Sequence, residues 1–378
     1  MDRSITHLDE IVDNLSEGDR KRFYTIFSFW KRTGRLTVPD TFMEKVYGYC
    51  RGKERGETQE QTAARVSDQI IIKTLDKYLE QQALFNELRT TTPGTSKEKL
   101  EDKRRKVEEH IEECRGEDKC DFCALEKYTS FDLPRITKGK CKSGGNLAKY
   151  DSANGMIYFW EHNPLRISRQ ELSDCIDVAE EWFKQIHDRD SELVYPFLGW
   201  NCLERAGASQ IGAHMHALLT QGMAYEGVEK LRRASERYKN DCHSDYFAGL
   251  FSVHKSLGLG FNYKNNPDKK VMVSLTPKKD KDTWIMGSSL NDLKEPVYEA
   301  IECFKNKLEV FAFNLAFQMP PLIQQPGWEE FPYIARMVDR GDPLKLGTDI
   351  AIMEMFGTSV VGSDPFKVAK ILREYMES

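Results

Sequence analysis

The sequence has no apolar run that approaches the ~20 residues needed to cross a bilayer. Its first residues, Met1-Asp2-Arg3-Ser4-Ile5-Thr6-His7, lack the apolar core of a secretion signal. No short-period repeat or low-complexity tract stands out, which argues against a solenoid or a long disordered tail. An excess of one charge sign is also missing: 55 Lys and Arg against 60 Asp and Glu leave a net charge of −5. That balance gives no bulk electrostatic drive toward nucleic acid or a membrane surface. An anionic small substrate has to be held by a local basic pocket. The nine cysteines are odd in number and scattered. Without a secretion signal they fit a reduced, cytoplasmic chain better than a disulfide framework.

What the sequence does contain is enough apolar material for a sizeable core. Of 378 residues 40% are hydrophobic, including 20 Phe, 15 Tyr and 6 Trp. The length suits two or three domains, or one doubled fold. Residues 1–85 read as a helical N-terminal segment: Ile11 and Leu15, then Phe23, Ile26, Phe27 and Trp30, and later Ile71, Ile72, Leu75, Tyr78 and Leu79 recur at helix-like spacing. After Thr90-Thr91-Thr92-Pro93-Gly94, the stretch 96–114 is rich in Lys, Arg and Glu and reads as an exposed helix in a solvated insertion.

From Cys120 the texture changes. Met156-Ile157-Tyr158-Phe159-Trp160 looks like a buried strand. Ser168 with Glu171 opens a helix to Ile186 at capping-box spacing. Strands are expected at 193–200, 214–220, 271–275, 284–286, 335–338 and 350–355. Helices are expected at 223–239, 296–311 and 365–376. The whole reads as an α+β body of antiparallel sheet and helices, in two related halves (86–240 and 241–378), behind the N-terminal segment. The cationic stretch around Arg135, Lys138, Lys140, Lys142 and Lys149 reads as a solvated loop, with a phosphate-facing loop as the alternative.

One segment carries chemistry: Gly207-Ala208-Ser209-Gln210-Ile211-Gly212-Ala213-His214-Met215-His216. Small residues let backbone N–H groups approach a ligand closely. In a strand, period-two alternation puts both imidazoles on one face. One can attack phosphorus while the other hydrogen-bonds a non-bridging oxygen. Histidine suits both roles because its unperturbed pKa lies near neutrality. From spacing alone, such a pair is more often a metal-ligand pair or simply two satisfied polar side chains. Separately, Cys120-Asp121-Phe122-Cys123 has the spacing of half a zinc site, or is simply a pair of free thiols in a turn.

The longer context narrows this. Leu198-Gly199-Trp200-Asn201, then Gly207-Ala208-Ser209-Gln210, then a histidine resembles the active-site signature of the histidine triad (HIT) superfamily, and within it the galactose-1-phosphate uridylyltransferase branch. Asn86-Glu87-Leu88-Arg89 with Pro93, Glu161-His162-Asn163-Pro164, Phe313-Asn314-Leu315-Ala316 and Leu344 to Asp349 are similar to further family elements. The ordered pieces span roughly residues 75–375. The resemblance implies a HIT-like fold, with His214 the nucleophile, His216 and Ser209 its catalytic partners, and Asn86, Arg89, Asn201, Gly207, Ala208, Gln210, Lys345 and Asp349 contacting substrate. It implies nucleotidyl transfer between a nucleotide-sugar and a sugar 1-phosphate. The alternatives are a dinucleoside-polyphosphate phosphorylase or hydrolase acting with phosphate or water, and a catalytically weak nucleotide-binding module. It also implies a structural zinc ion on Cys120, Cys123 and His162, and a homodimer as an assembly the chain could form. One departure stands out: the first histidine of the signature, the family's fourth zinc ligand, is Gly212 here. Cys114, Cys141 and Cys202 are conceivable substitutes.

Overall fold

A computed structural model describes residues 3–91, 100–345 and 352–377. It has fourteen strands in two sheets among the described residues. In the N-terminal region lie β1 (Phe27–Arg35), β2 (Asp68–Asp76) and β3 (Gln81–Phe85). The next group is β4 (Thr137–Lys138), β5 (Cys141–Gly145), β6 (Ala153–Tyr158), the helix Arg169–Arg189, β7 (Tyr195–Cys202) and β8 (His214–Thr220). After the helices Glu226–Cys242 and Tyr246–Leu257 come β9 (Gly260–Asn262), β10 (Lys270–Val273), β11 (Thr283–Gly287), the helix Leu290–Asn306, β12 (Phe313–Gln318) and β13 (Tyr333–Asp339). β14 (Thr358–Val361) and the helix Pro365–Met376 follow.

The larger sheet runs β4-β5-β6-β8-β7-β12-β13-β11-β10-β9. Read outward from its centre, each half has the same order: the strand after the long helix, the strand following that, and then three strands in reverse. The halves join where β7 pairs antiparallel with β12, Asn201 opposite Asn314. This repeat is the two-half α+β architecture expected from the sequence. One layer of helices, Arg169–Arg189 and Leu290–Asn306, packs on the sheet and buries Trp182, Phe183, Val297 and Phe304. The capping box at Ser168 and Glu171 forms as expected.

Three expectations need correction. Residues 1–85 are not wholly helical: helices such as Glu17–Ile26 are present, but β1, β2 and β3 form a second sheet with β14, in the order β1-β2-β3-β14. The run Ile70-Ile71-Ile72 is β-branched, and its exposure alternates so that Ile72, Thr74 and Asp76 are buried; helix-like spacing in an apolar run cannot by itself exclude a strand. Residues 352–355 are a short exposed helix rather than a strand. Residues 141–145 are a mostly buried strand, so only part of the cationic stretch is loop. Among the described residues no helix is long and apolar enough to cross a membrane.

Candidate functional site

β8 places the two histidines. It is a central strand, paired with β6 on one side and β7 on the other, with Tyr158 opposite His214 and Gly199 opposite His216. His214 and His216 share a face, their rings 5.3 Å apart and edge-on. His214 is buried, at 2% exposure. Its Nδ1 lies 2.7 Å from the Gly212 carbonyl oxygen. A carbonyl can only accept, so Nδ1 carries the proton and Nε2 keeps its lone pair. Burial holds the His214 imidazole far below its ordinary range, down to about 4, with the Gly212 bond opposing and His216 adding slightly. Burial lowers His216 as well. Both rings are therefore neutral at physiological pH.

His216 stacks on Tyr150 at 5.4 Å, and its buried Nδ1 has no hydrogen-bond partner among the described residues. It lines a mainly apolar cleft of about 330 Å³ with Tyr150, Phe197, Trp200, Tyr225 and Asn314. A cleft of this size with aromatic walls and a few polar groups has the character of a small-molecule site.

The turn before β8 is built on Asn201. Asn314 Nδ2 donates to Asn201 Oδ1 at 2.7 Å and to the Ala206 carbonyl at 2.8 Å. The chain then passes Gly207 in the left-handed region, at φ +98°, where glycine carries no penalty. The amides of Ser209, Gln210 and Gly212 donate to no described residue. Such a run of unpaired N–H groups can hold an anion. Ala208 is buried, Ser209 exposed and Gln210 half-buried.

The other expected substrate contacts are more dispersed. Asn86 is engaged internally: its Nδ2 donates to Gln69 and its Oδ1 accepts from the Leu88 amide. Arg89 lines a separate cavity of about 560 Å³ with Arg205, Lys278, Lys279 and Arg340. That cavity adjoins the first through Arg340, which donates to Asn314 Oδ1 at 2.6 Å. Lys345 is exposed, 3.8 Å from Asp342, and lines neither cavity. Asp349 lies outside the described residues. Sequence reasoning did not single out Phe122, Tyr150, Phe197, Tyr225 or Arg340 as site residues. Asn314 stood in a quoted motif, but only its pairing with Asn201 reveals its role.

The ligand atoms of Cys120, Cys123 and His162 all lie within 4.8 Å of one another. Cys123 Sγ is 3.3 Å from His162 Nδ1, while His162 Nε2 faces the Ile111 carbonyl at 3.3 Å. An imidazole whose far nitrogen donates to a carbonyl is oriented as zinc-binding histidines are. Two thiols and an imidazole at these separations fit three corners of a zinc tetrahedron. The sequence candidates for a fourth ligand are placed elsewhere: Cys141 Sγ contacts the Glu171 carbonyl and Cys202 Sγ the Phe311 carbonyl, and Cys114 is not in the cluster. At Gly212 a Cβ would come to 3.0 Å from Cys120 Sγ and 3.1 Å from the Phe122 ring.

No protein-family model matches the chain, and no curated protein matches it in sequence. Solved structures do match its fold. An ADP-glucose phosphorylase from Arabidopsis thaliana, crystallised with ADP-glucose, aligns with a TM-score of 0.59 at 14% identity, over 79% of this chain and 97% of that one. A GalT-like protein from Arabidopsis thaliana gives 0.55 at 15% identity, covering 68% and 93%. A uridylyltransferase mutant gives 0.54 at 11% identity, covering 70% and 93%. At such identities the likeness is one of fold: the chain shares the α+β, HIT-like fold of these solved structures.

Proposed function

We propose that the chain is a nucleotidyltransferase that works through a covalent nucleotidyl-His214, taking a nucleoside monophosphate from a nucleotide-sugar and passing it to a sugar 1-phosphate. The observation that carries this is the bond from His214 Nδ1 to the Gly212 carbonyl. It fixes the tautomer, and burial keeps the ring unprotonated, so Nε2 is a nucleophile without a separate base.

In the first step Nε2 attacks the α-phosphorus of the donor. An N–P bond forms, the P–O bond to the outer phosphate breaks, and the sugar 1-phosphate leaves with the electron pair. The unpaired amides of the 207–212 turn, with Ser209, hold that leaving phosphate. His216 donates to a non-bridging oxygen whose charge grows in the transition state. Asn201, itself held by Asn314, orders the turn that Gly207, Ala208 and Gln210 complete. The nucleoside occupies the aromatic cleft beside His216. In the second step an acceptor phosphate oxygen attacks the same phosphorus, and the N–P electron pair returns to Nε2. A zinc ion on Cys120, Cys123 and His162 would be structural, fixing the loop beside the nucleophile.

Arg89 and the other cations of the adjoining cavity would offset the charge of the acceptor. The same cation-rich cavity supports a second reading, in which the acceptor is inorganic phosphate. The bound ADP-glucose of the phosphorylase with this fold is in keeping with it.

The test is intact-protein mass spectrometry after mixing pure protein with UDP-sugars, ADP-sugars and dinucleoside polyphosphates. Wild type should gain the mass of one nucleoside monophosphate from one class of donor, and the acid-labile adduct should be absent from His214→Ala. Chasing the adduct with sugar 1-phosphates and with inorganic phosphate separates transferase from phosphorylase. Binding of donor with no adduct would mean a nucleotide-binding module instead.

A further inference from the structure

The loop that brings Cys120 and Cys123 together also carries a side chain into the nucleophile's surroundings. Phe122 stands between the two thiols in sequence, and its ring packs on Tyr158 at 4.8 Å and edge-on against His214 at 4.9 Å. Tyr158 and His214 are opposite each other across β6 and β8. Phe122 therefore covers a cross-strand pair of rings from above. The glycine at 212 leaves room for it: a Cβ there would meet Cys120 Sγ at 3.0 Å, the Phe122 ring at 3.1 Å and the Phe122 Cβ at 3.4 Å, so the loop would have to shift by a few tenths of an ångström. His214 is thus held on two sides, by the Gly212 carbonyl at Nδ1 and by the Phe122 ring.

We propose that Phe122 is a positioning residue for His214, and that through it the cluster of Cys120, Cys123 and His162 sets the angle of the attacking imidazole. This rests on the reading of His214 as the nucleophile. The ring has no polar atom to offer the substrate; it acts through the imidazole it packs against, restricting its rotation and shielding the Nδ1 hydrogen bond from water. An attacking nitrogen must be held close to its line of approach, so a freed ring attacks less often.

The experiment compares wild type with Phe122→Ala and Phe122→Leu in four measurements: zinc content of protein loaded with zinc, affinity for UDP-glucose and ADP-glucose, the single-turnover rate of adduct formation, and the proton NMR resonance of the hydrogen-bonded His214 Nδ1–H. Phe122→Ala leaves every zinc ligand in place. It should keep its zinc and its donor affinity, yet form the adduct at least about tenfold more slowly, as loss of near-attack geometry predicts. Its Nδ1–H resonance should be lost to exchange with water. Phe122→Leu fills most of the space and should keep the resonance, with a rate between the other two. Should Phe122→Ala fail to fold or lose its zinc, Phe122→Leu decides: a slowed rate with zinc retained supports the proposal, and a wild-type rate overturns it. Wild-type rates in both variants, or a rate that falls only in proportion to donor affinity, also overturn it. If wild type forms no adduct with any donor, the functional reading falls while the resonance still decides whether Phe122 holds the ring. A resonance unchanged in Phe122→Ala then overturns the positioning role as well.

Discussion

At the scale of single residues, the chemistry of His214 follows from where its strand is buried. A free histidine titrates near ~6.5, but the desolvated ring of His214 is held down to about 4. In the proposed mechanism the attacking form is the neutral one, so the acid limb of adduct formation should fall near pH 4 and not near pH 6.5. Rates should be level from neutrality down to about pH 5, one unit above that limb. The check is a single-turnover rate profile taken where circular dichroism shows the chain folded; an acid limb near 6.5 would mean the ring is hydrated or the nucleophile lies elsewhere. The fold condition is needed because His254 is also buried and pushed down to about 4. For both rings the unfolded pKa lies above the folded one. Stability is therefore full above ~6.5 and is lost as pH falls toward the folded values, because the unfolded chain takes up protons first. The Gly-x-Ser register singles out His214 in the sequence as the proposed nucleophile, but nothing in the sequence sets its protonation. Desolvation is a property of the Phe122 and Tyr158 rings around it, and Phe122 is 92 residues away along the chain.

At the scale of elements, local chemistry was legible and pairing was not. The helix Arg169–Arg189 announces itself through Ser168 and Glu171, and its box forms in full: Ser168 Oγ accepts from the Glu171 amide at 3.2 Å and Glu171 Oε2 accepts from the Ser168 amide at 2.9 Å. The strands of β6, β7, β8 and β13 were visible as apolar runs. β1 and β2 were not, because Phe23 to Trp30 crosses from a helix into a strand without a break, and Ile71, Ile72 and Leu75 fit either period. What decides for strand is their mutual pairing from Phe27 opposite Asp76 to Arg35 opposite Asp68, which one sequence window cannot show. The capping box also reaches the cluster of Cys120, Cys123 and His162, the proposed zinc site, since Glu171 Oε1 accepts from the amide of Glu161, the neighbour of His162. Ser168→Ala should therefore cost about 1 kcal/mol, as lost caps do, read as a lower urea midpoint with zinc retained. Glu171→Ala should cost stability and also speed zinc loss to a chelator, because it frees the Glu161 amide. Equal zinc loss in the two variants would show that the cap, and not the Glu161 bond, holds His162.

At the scale of the whole molecule, the repeat in the large sheet contrasts with the uneven use of its halves. β8 carries two histidines, whereas β13, at the matching place in the strand order, carries Arg336, buried in an ion pair with Asp282. The half with β8 holds the proposed nucleophile, and the other half supplies Asn314 and Arg340 across the seam. The N-terminal region, read from sequence as a segment ahead of this body, is tied into it at many points. Thr74 Oγ1 donates to the Leu275 carbonyl, Tyr246 Oη to Asp76 Oδ2, and Arg22 Nη1 to Ser252 Oγ. Phe27 packs edge-on against His254, and β14 from the other end of the described chain pairs parallel with β3. Leu8, Val12, Phe23, Ile26, Phe27, Ile72 and Phe85 are all buried in the common core. At ~1.5–3 kcal/mol per buried side chain, these are worth about as much as the whole net stability of a typical domain, ~5–15 kcal/mol. A chain of residues 86–378 would leave the face of the helix Tyr246–Leu257 uncovered and β14 without its neighbour. It should show no cooperative thermal transition and should bind no donor. If it instead melts within a few degrees of the full chain and still forms the His214 adduct, the N-terminal sheet is an appendage and the boundary near residue 85 is a true domain boundary.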